Sequence, residues 1–231
     1  MMNILVINPN SSQKVTNNLQ KTVGSPESVK LHFYTAPQNS PTEITPKNSQ
    51  LSETAVLQDF KERKSLKEYD AFLVCCYSDH PLVESLADFT KKPVLGIMQA
   101  TLLYALSMPG IKSFILTSTS DWEPVLDKGV MDFVGTDEFP LKKFYPTRGL
   151  NVNVTNLADA EQFAKIFNVT KNILNEYQDV KCVLLGCAGM AGLDKKLGNT
   201  FPGIKFIDSV KIGVQFLESL VRFDRENMIA S

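Results

Sequence analysis

Several features that mark specialised proteins are missing from this sequence. No apolar run approaches the roughly 18 residues that a transmembrane helix needs. The N-terminal segment MMNILVINPN lacks a basic region and a small-residue cleavage site, so we expect no secretory signal peptide. The 24 basic and 25 acidic residues nearly cancel, which leaves no electrostatic bias toward nucleic acids or anionic membranes. We therefore expect neither a nucleic acid nor a membrane as a partner.

Cysteine is also scarce, with four residues in a chain of 231. That number is too small for a disulfide scaffold at this length, and the spacing does not match that of a zinc site. Gly186 and Gly189 belong neither to a GxGxxG motif nor to a P-loop with its lysine, which argues against a nucleotide site. We expect reduced thiols in the cytosol, no metal ion and no cofactor.

The residues that are present favour an α/β fold. Short apolar runs alternate with longer amphipathic segments, which indicates β/α units and a mainly parallel sheet. We predict a helix from about Ala158 to Tyr177 after polar residues 151–156, and a long loop over the proline-containing residues 35–50. The predicted strands are Ile4–Ile7, Val29–Tyr34, Ala71–Cys75, Val94–Ile97, Ser113–Leu116, Cys182–Leu185 and Lys205–Ile207.

The two halves of the chain resemble each other. ILVINPNSS resembles FILTSTSDW, FLVCCYSD resembles VLLGCAGM, and PVLGI resembles IKFID, at a nearly constant offset of about 110 residues. This offset aligns Cys76 with Cys187. Chance similarity among strands is the alternative, but the polar residues after the strands recur too. We predict two pseudo-symmetric lobes, each a mainly parallel sheet flanked by helices, over residues 1–97 with 208–231 and residues 98–207.

Ligands of open α/β sheets bind beyond the carboxyl ends of the strands. Four predicted strands end in small polar or reactive segments, at residues 8–12, 76–79, 117–120 and 187–189. If the lobes face each other, these ends meet in one cleft with a thiol on each wall. Helix N-termini after the two cysteines would favour the thiolate and could hold the oxygen of an enolate.

Two acid/base groups on opposite faces of one carbon are what a cofactor-free racemase requires. One thiolate removes the proton next to a carbonyl, and the opposite thiol returns a proton from the other face. A near-symmetric pair suits a reaction whose reactant and product are mirror images. We therefore predict that Cys76 and Cys187 are catalytic and that the active site lies in the cleft between the lobes.

Three motifs carry a resemblance to a known family: INPNSS at residues 7–12, CYSDHPL at 76–82 and LGCAGMAGL at 185–193. Over nearly its whole length the chain resembles the hydantoin/allantoin racemase branch of the aspartate/glutamate racemase superfamily, particularly fungal members associated with nitrogen catabolism. The resemblance implies a pseudo-symmetric pair of α/β lobes with both catalytic cysteines at their interface. The groups that would line the substrate are Asn10, Ser78, Thr117, Ser118 and the backbone near Ala188 and Gly189.

The chain also departs from this pattern. Bacterial hydantoin racemases usually carry a CFGDPG-like segment where this chain has CYSDHP, so that Ser78 and His80 stand beside the first thiol. Gln99 stands where bacterial relatives often have a glutamate. These changes bear on the identity of the substrate.

Several candidate residues have an ordinary structural alternative. His80 either tunes Cys76 or covers a helix start, and Asn10 either contacts the ligand or caps a helix. We expect Cys75 and Cys182 to be small buried hydrophobes.

We predict a cytosolic, cofactor-independent racemase for a small hydantoin-like cyclic ureide, either allantoin or a 5-substituted hydantoin. The strand ends offer amides and hydroxyls but no cation for the carboxylate of a free amino acid, unless Arg148, Lys195 or Lys196 folds in from a loop. An aspartate/glutamate-type amino-acid racemase is the alternative enzyme. A ligand-binding or regulatory protein that retains the cleft without turnover is the alternative from another class. The sequence leaves room for a homo-oligomer.

Overall fold

The computed structural model describes residues 1–62, 64–151 and 160–227. The chain divides into two compact units. Unit 1 contains residues 1–100 and the chain from Val210 onward, and unit 2 contains residues 101–209. The lobe boundaries predicted from the sequence fall a few residues before these.

The strands and helices alternate along the chain. The strands are β1 Met2–Asn8, β2 Val29–Thr35, β3 Ala71–Val74, β4 Val94–Gly96, β5 Lys112–Thr117, β6 Arg148–Gly149, β7 Val180–Gly186 and β8 Lys205–Asp208. The α-helices are α1 Gln13–Thr22, α2 Ser49–Glu62, α3 Leu82–Thr90, α4 Ile97–Ser107, α5 Glu123–Val134, α6 Ala160–Glu176, α7 Leu193–Thr200 and α8 Ser209–Asn227. Short 3-10 helices cover Lys64–Glu68, Ser120–Trp122 and Ala188–Met190.

Unit 1 is built on a parallel sheet with the strand order β2-β1-β3-β4. All four residues of β3 are buried, as expected for a central strand that is covered on both faces. Along the carboxyl edge, Ile7 pairs with Val74 and Val74 pairs with Gly96. Because the strands are parallel, the turns that follow β1, β3 and β4 leave the sheet at the same edge.

Unit 2 repeats this arrangement with the parallel order β6-β5-β7-β8. Thr117 pairs with Gly186, and Leu185 pairs with Asp208. The apolar residues of β5 and β7 pack with α6 and α7 in one core cluster that includes Phe114, Ile166 and Leu197. The turns after β5, β7 and β8 therefore leave this second sheet at one edge as well.

The predicted fold class is confirmed, because each unit is a parallel four-stranded sheet flanked by helices. Corresponding strands occupy corresponding positions in the two sheets, as the internal repeat predicts. The strand β6 was not predicted, because two residues form no apolar run. The start of the helix predicted at Ala158, and the polar residues 152–156 before it, lie outside the described residues. In the described ranges, no helix is both long and apolar enough to cross a membrane.

Candidate active site

The turn after β1 is organised by a buried asparagine. Asn8 is fully buried, and its Nδ2 lies 2.9 Å from Asn10 Oδ1, 3.0 Å from the Ser12 carbonyl oxygen and 3.1 Å from Thr16 Oγ1. Asn10 Oδ1 also accepts the Ser12 N–H at 2.9 Å. Two donors thus occupy the oxygen of half-buried Asn10, so its amide can offer a ligand only N–H donors.

The turn after β3 carries the first predicted catalytic residue. The Cys75 N–H donates to the Ile7 carbonyl at 2.8 Å, which continues the sheet pattern as far as the residue before Cys76. The thiol of Cys76 is buried, and its Sγ lies 3.5 Å from the hydroxyl of Ser78, where either atom can donate. The Ser78 N–H also donates to the Cys76 carbonyl at 3.1 Å. The predicted residues Cys76 and Ser78 are therefore in direct contact.

His80 lies in the same turn and is 1% exposed. Its Nδ1 accepts the N–H of Leu82, the first residue of α3, at 3.2 Å. Burial lowers the pKa of His80 from 6.5 to about 4, so the ring is neutral at pH 7 and its proton is on Nε2. His80 thus caps the start of α3, and its Nε2–H is a buried donor with no acceptor among the described residues.

A side chain from the start of α4 braces the Cys76 turn. Gln99 Nε2 donates to Asp79 Oδ1 at 3.1 Å. The other end of the Gln99 amide lies against Gly96, where a Cβ atom would overlap Oε1. A glutamine in this position can donate to Asp79, whereas a glutamate would place two carboxylates face to face.

In unit 2, the second predicted catalytic residue follows β7. Cys187 is half-buried and is the N-cap of the 3-10 helix Ala188–Met190, where its Sγ accepts the N–H of Gly189 at 3.4 Å. The preceding residue is Gly186, and a Cβ there would lie 2.6 Å from Ile115 Cγ2. Close packing of β7 against β5 therefore requires glycine directly before the cysteine. A backbone N–H aimed at the sulfur favours the thiolate.

The remaining predicted ligand residues of unit 2 follow β5 and β7. Thr117 is 1% exposed, and its hydroxyl donates to the Gly186 carbonyl at 3.1 Å, so this hydroxyl hydrogen is used within the sheet. Ser118 is half-buried and its carbonyl accepts the Asn151 N–H at 2.8 Å. Ala188 is buried beside Cys187. Each unit thus gathers its own predicted residues at one sheet edge.

A buried carboxylate at the end of β8 contacts the Cys187 turn. Asp208 is 4% exposed, and its Oδ2 accepts the N–H of Gly192 at 2.7 Å. Sequence reasoning missed the role of Asp208. The available signal was a polar residue directly at the end of a predicted apolar strand, where the sheet edge leaves its side chain close to the following turns.

The other two cysteines are buried. Cys75 is 3% exposed and Cys182 is 1% exposed. Burial raises the pKa of Cys182 to about 11, so this thiol stays protonated at neutral pH. Such a thiol is a poor nucleophile and a poor base. All four cysteines are described, and no disulfide joins them. No three His, Cys, Asp or Glu side chains are grouped to hold a metal ion in the parts of the chain that the structure describes.

Several known proteins resemble this chain in sequence and fold. The family model for Asp/Glu/Hydantoin racemase matches residues 4–217. An uncharacterized protein of Schizosaccharomyces pombe, C1F7.10, is 37% identical and aligns with 97% of this chain and 94% of its own length. The hydantoin racemase of Pseudomonas sp. NS671 is 28% identical, with 95% of this chain and 86% of that protein covered.

Among solved structures, the allantoin racemase from Pseudomonas fluorescens has a TM-score of 0.79 at 24% identity, covering 96% of this chain and 92% of that one. This similarity supports the α/β fold. The family match extends over both sheets and includes both cysteine turns. The chain therefore belongs to the Asp/Glu/Hydantoin racemase family of isomerases.

Proposed function

We propose that this protein is a cofactor-independent racemase in which Cys76 and Cys187 act as a pair on a hydantoin-like cyclic ureide. The observation that carries the proposal is the repeated position of the cysteines. Each unit has one on the turn after its third strand in sequence, with a hydrogen-bonding group on the sulfur. The substrate would be a small molecule, either allantoin or a 5-substituted hydantoin. The enzyme would act in the cytosol and would need no metal ion.

The proposed reaction is a proton transfer in two steps. One thiolate takes the proton from the carbon beside the ring carbonyl, and the C–H electron pair moves into an enolate whose negative charge lies on the carbonyl oxygen. The thiol of the other cysteine then donates its proton to the opposite face of that carbon. The pair ends with its protonation states exchanged, and the reverse reaction uses the same groups in the opposite roles.

The side chains at the sheet edges favour a neutral ring over a free amino acid. Asn10, Ser78 and Ser118 offer amide and hydroxyl groups, and the backbone at Ala188 and Gly189 offers N–H donors. Of the three cations singled out in the sequence, Arg148, Lys195 and Lys196, two have partners of their own. Arg148 pairs with Glu176 at 2.6 Å, and Lys196 Nζ lies 3.6 Å from the centre of the Phe163 ring. These contacts leave Arg148 and Lys196 less able to pair with a substrate carboxylate.

The hydrogen bonds within each unit limit what the proposed contact residues can offer a substrate. Asn10 would donate to a ring carbonyl oxygen, since its own oxygen is held by Asn8 and Ser12. Thr117 would act through packing, because its hydroxyl hydrogen is used in the sheet. His80 would tune the site through the shape of the Cys76 turn.

Polarimetry tests the proposal directly. We expect the purified protein to racemise enantiopure allantoin or 5-substituted hydantoins with a higher kcat/KM than aspartate or glutamate. Turnover should survive exhaustive chelation and be lost on thiol alkylation. In deuterium oxide, the inverted product should carry deuterium at its stereocentre. Racemisation of aspartate or glutamate with all ureides inert would favour the amino-acid racemase instead, and ligand binding without proton exchange would favour a binding protein.

A further inference from the structure

The buried carboxylate of Asp208 ties the turn that carries Cys187 to the end of β8. Asp208 pairs across the sheet with Leu185, which lies two residues before Cys187 in the chain. Its Oδ2 accepts the Gly192 N–H at 2.7 Å from the far end of the same turn. The segment from Cys187 to Gly192 is thus held at its start by the sheet and at its end by this carboxylate.

The turn itself is short and hydrogen-bonded. The Met190 N–H donates to the Cys187 carbonyl at 2.9 Å, and the Ala191 N–H donates to the Ala188 carbonyl at 3.2 Å. Gly192 then adopts φ of +89°, a conformation open to glycine but strained for other residues, and it is the N-cap of α7. Reversal of the chain at Gly192 directs its N–H toward Asp208. Loss of this acceptor would release the end of the turn while leaving its start in the sheet.

We propose that Asp208 is a positioning residue for Cys187, which holds the turn in the shape that brings the Gly189 N–H to the sulfur. The inference rests on the proposed catalytic role of Cys187. Asp208 would act on Cys187 through the turn. Its carboxylate fixes Gly192, the fixed turn sets the backbone at Gly189, and the Gly189 N–H stabilises the thiolate at 3.4 Å.

This role makes a specific demand on residue 208. An asparagine also has a side-chain oxygen that can accept the Gly192 N–H, so Asp208→Asn should keep the turn in place. An alanine removes the acceptor and leaves the N–H of Gly192 without that contact. In the displaced turn, the Gly189 N–H would no longer meet the sulfur. Loss of a hydrogen bond to the charged thiolate changes the thiolate population by about tenfold.

The test measures iodoacetamide alkylation of Cys187 and Cys76 in the same full-length protein, by peptide mass spectrometry across a range of pH. In Asp208→Ala we expect the Cys187 rate near neutral pH to fall about tenfold. The rate at high pH, where every thiol is ionised, should be retained. The Cys76 profile should not move, and Asp208→Asn should stay within about threefold of the parent protein.

Asp132→Ala is the matched control, because it removes an exposed carboxylate of the same unit that pairs with Lys128 on α5. An unchanged Cys187 profile in Asp208→Ala would overturn the inference. Equal changes at Cys76 and Cys187, in either direction, would also overturn it, because they would indicate a general change in the fold. The alkylation rates do not depend on turnover. If the enzyme racemised no ureide, that result would contradict the proposed function, and the role of Asp208 would still be judged by alkylation.

Discussion

The two cysteine turns have the same place in the topology but different partners on the sulfur. Cys187 faces a backbone N–H, which can only donate, at 3.4 Å. Cys76 faces the Ser78 hydroxyl, which can donate or accept, at 3.5 Å. Cys187 is half-buried, whereas Cys76 is 8% exposed. A backbone N–H at a sulfur favours the thiolate, whereas a hydroxyl can serve thiol and thiolate alike. The repeat therefore preserves the positions of the thiols without making their chemistry equal.

The largest expected effect comes from removing either thiol. We expect Cys76→Ser and Cys187→Ser each to lower racemisation by about a thousandfold, because serine is a far weaker acid and base at neutral pH. Each variant should still exchange the α-proton of one enantiomer with deuterium oxide, and the two variants should prefer opposite enantiomers. Because the Gly189 N–H lies 3.4 Å from the Cys187 sulfur and favours its thiolate, Cys76→Ser should retain measurable exchange at neutral pH.

Cys75 and Cys182, which are not proposed to be catalytic, are the controls for this comparison. Cys75→Ser and Cys182→Ala should retain most of the activity, since both thiols are buried and neither is one of the proposed catalytic pair. Near-parental racemisation by either active-site variant, with the fold verified by circular dichroism, would contradict the two-thiol mechanism.

The second effect concerns His80, which has no counterpart in the Cys187 turn. The folded-state pKa of His80 is about 4, below the unfolded value of 6.5, so the unfolded chain binds the proton first as the pH falls. Stability should therefore decrease between pH 6.5 and 4, and this residue should contribute roughly 2 kcal/mol of that loss between pH 7 and 5. Urea unfolding at the two pH values measures it.

His80→Asn sharpens this measurement. Asparagine can accept the Leu82 N–H in the same place but does not titrate. Between pH 7 and 5, the variant should therefore lose roughly 2 kcal/mol less of its free energy of unfolding than the parent protein. An equal loss in parent and variant would show that other groups, rather than His80, set the acid sensitivity.

The smallest effect concerns the brace between Gln99 and Asp79. Gln99→Glu would place two carboxylates about 3 Å apart, where like charges repel. Because this contact is exposed to solvent, we expect kcat/KM to fall only about threefold at neutral pH. The loss should shrink as the pH is lowered and one carboxylate is protonated. Gln99→Leu is the control, since it removes the hydrogen bond without adding charge and should show no such recovery.

Much of the fold could be predicted from the amino-acid sequence. Within the described residues, the apolar runs identified seven of the eight strands, because a buried parallel strand needs a continuous apolar segment. The recurrence of Cys76 at Cys187 predicted two equivalent turns, since corresponding strands end in corresponding segments. The β6 pair, Arg148 and Gly149, escaped prediction because it is too short to form a pattern.

Side-chain contacts could not be predicted in the same way. Thr117 and Ser118 are neighbours in the sequence, but they contact different parts of the unit. The Thr117 hydroxyl donates to the Gly186 carbonyl on β7, whereas the Ser118 carbonyl accepts the Asn151 N–H. Which direction a hydroxyl takes depends on the strand beside it, and that strand is about 70 residues away in the chain.

The sequence by itself determined the α/β class, the repeated unit and the place of each cysteine after a strand, because these follow from local hydrophobic patterns. Only the tertiary structure decided what meets each sulfur, which nitrogen of His80 carries the proton, and that Asp208 holds Gly192. Those properties depend on burial and on hydrogen bonds between residues distant in sequence, whose energies change with a displacement of an ångström or less.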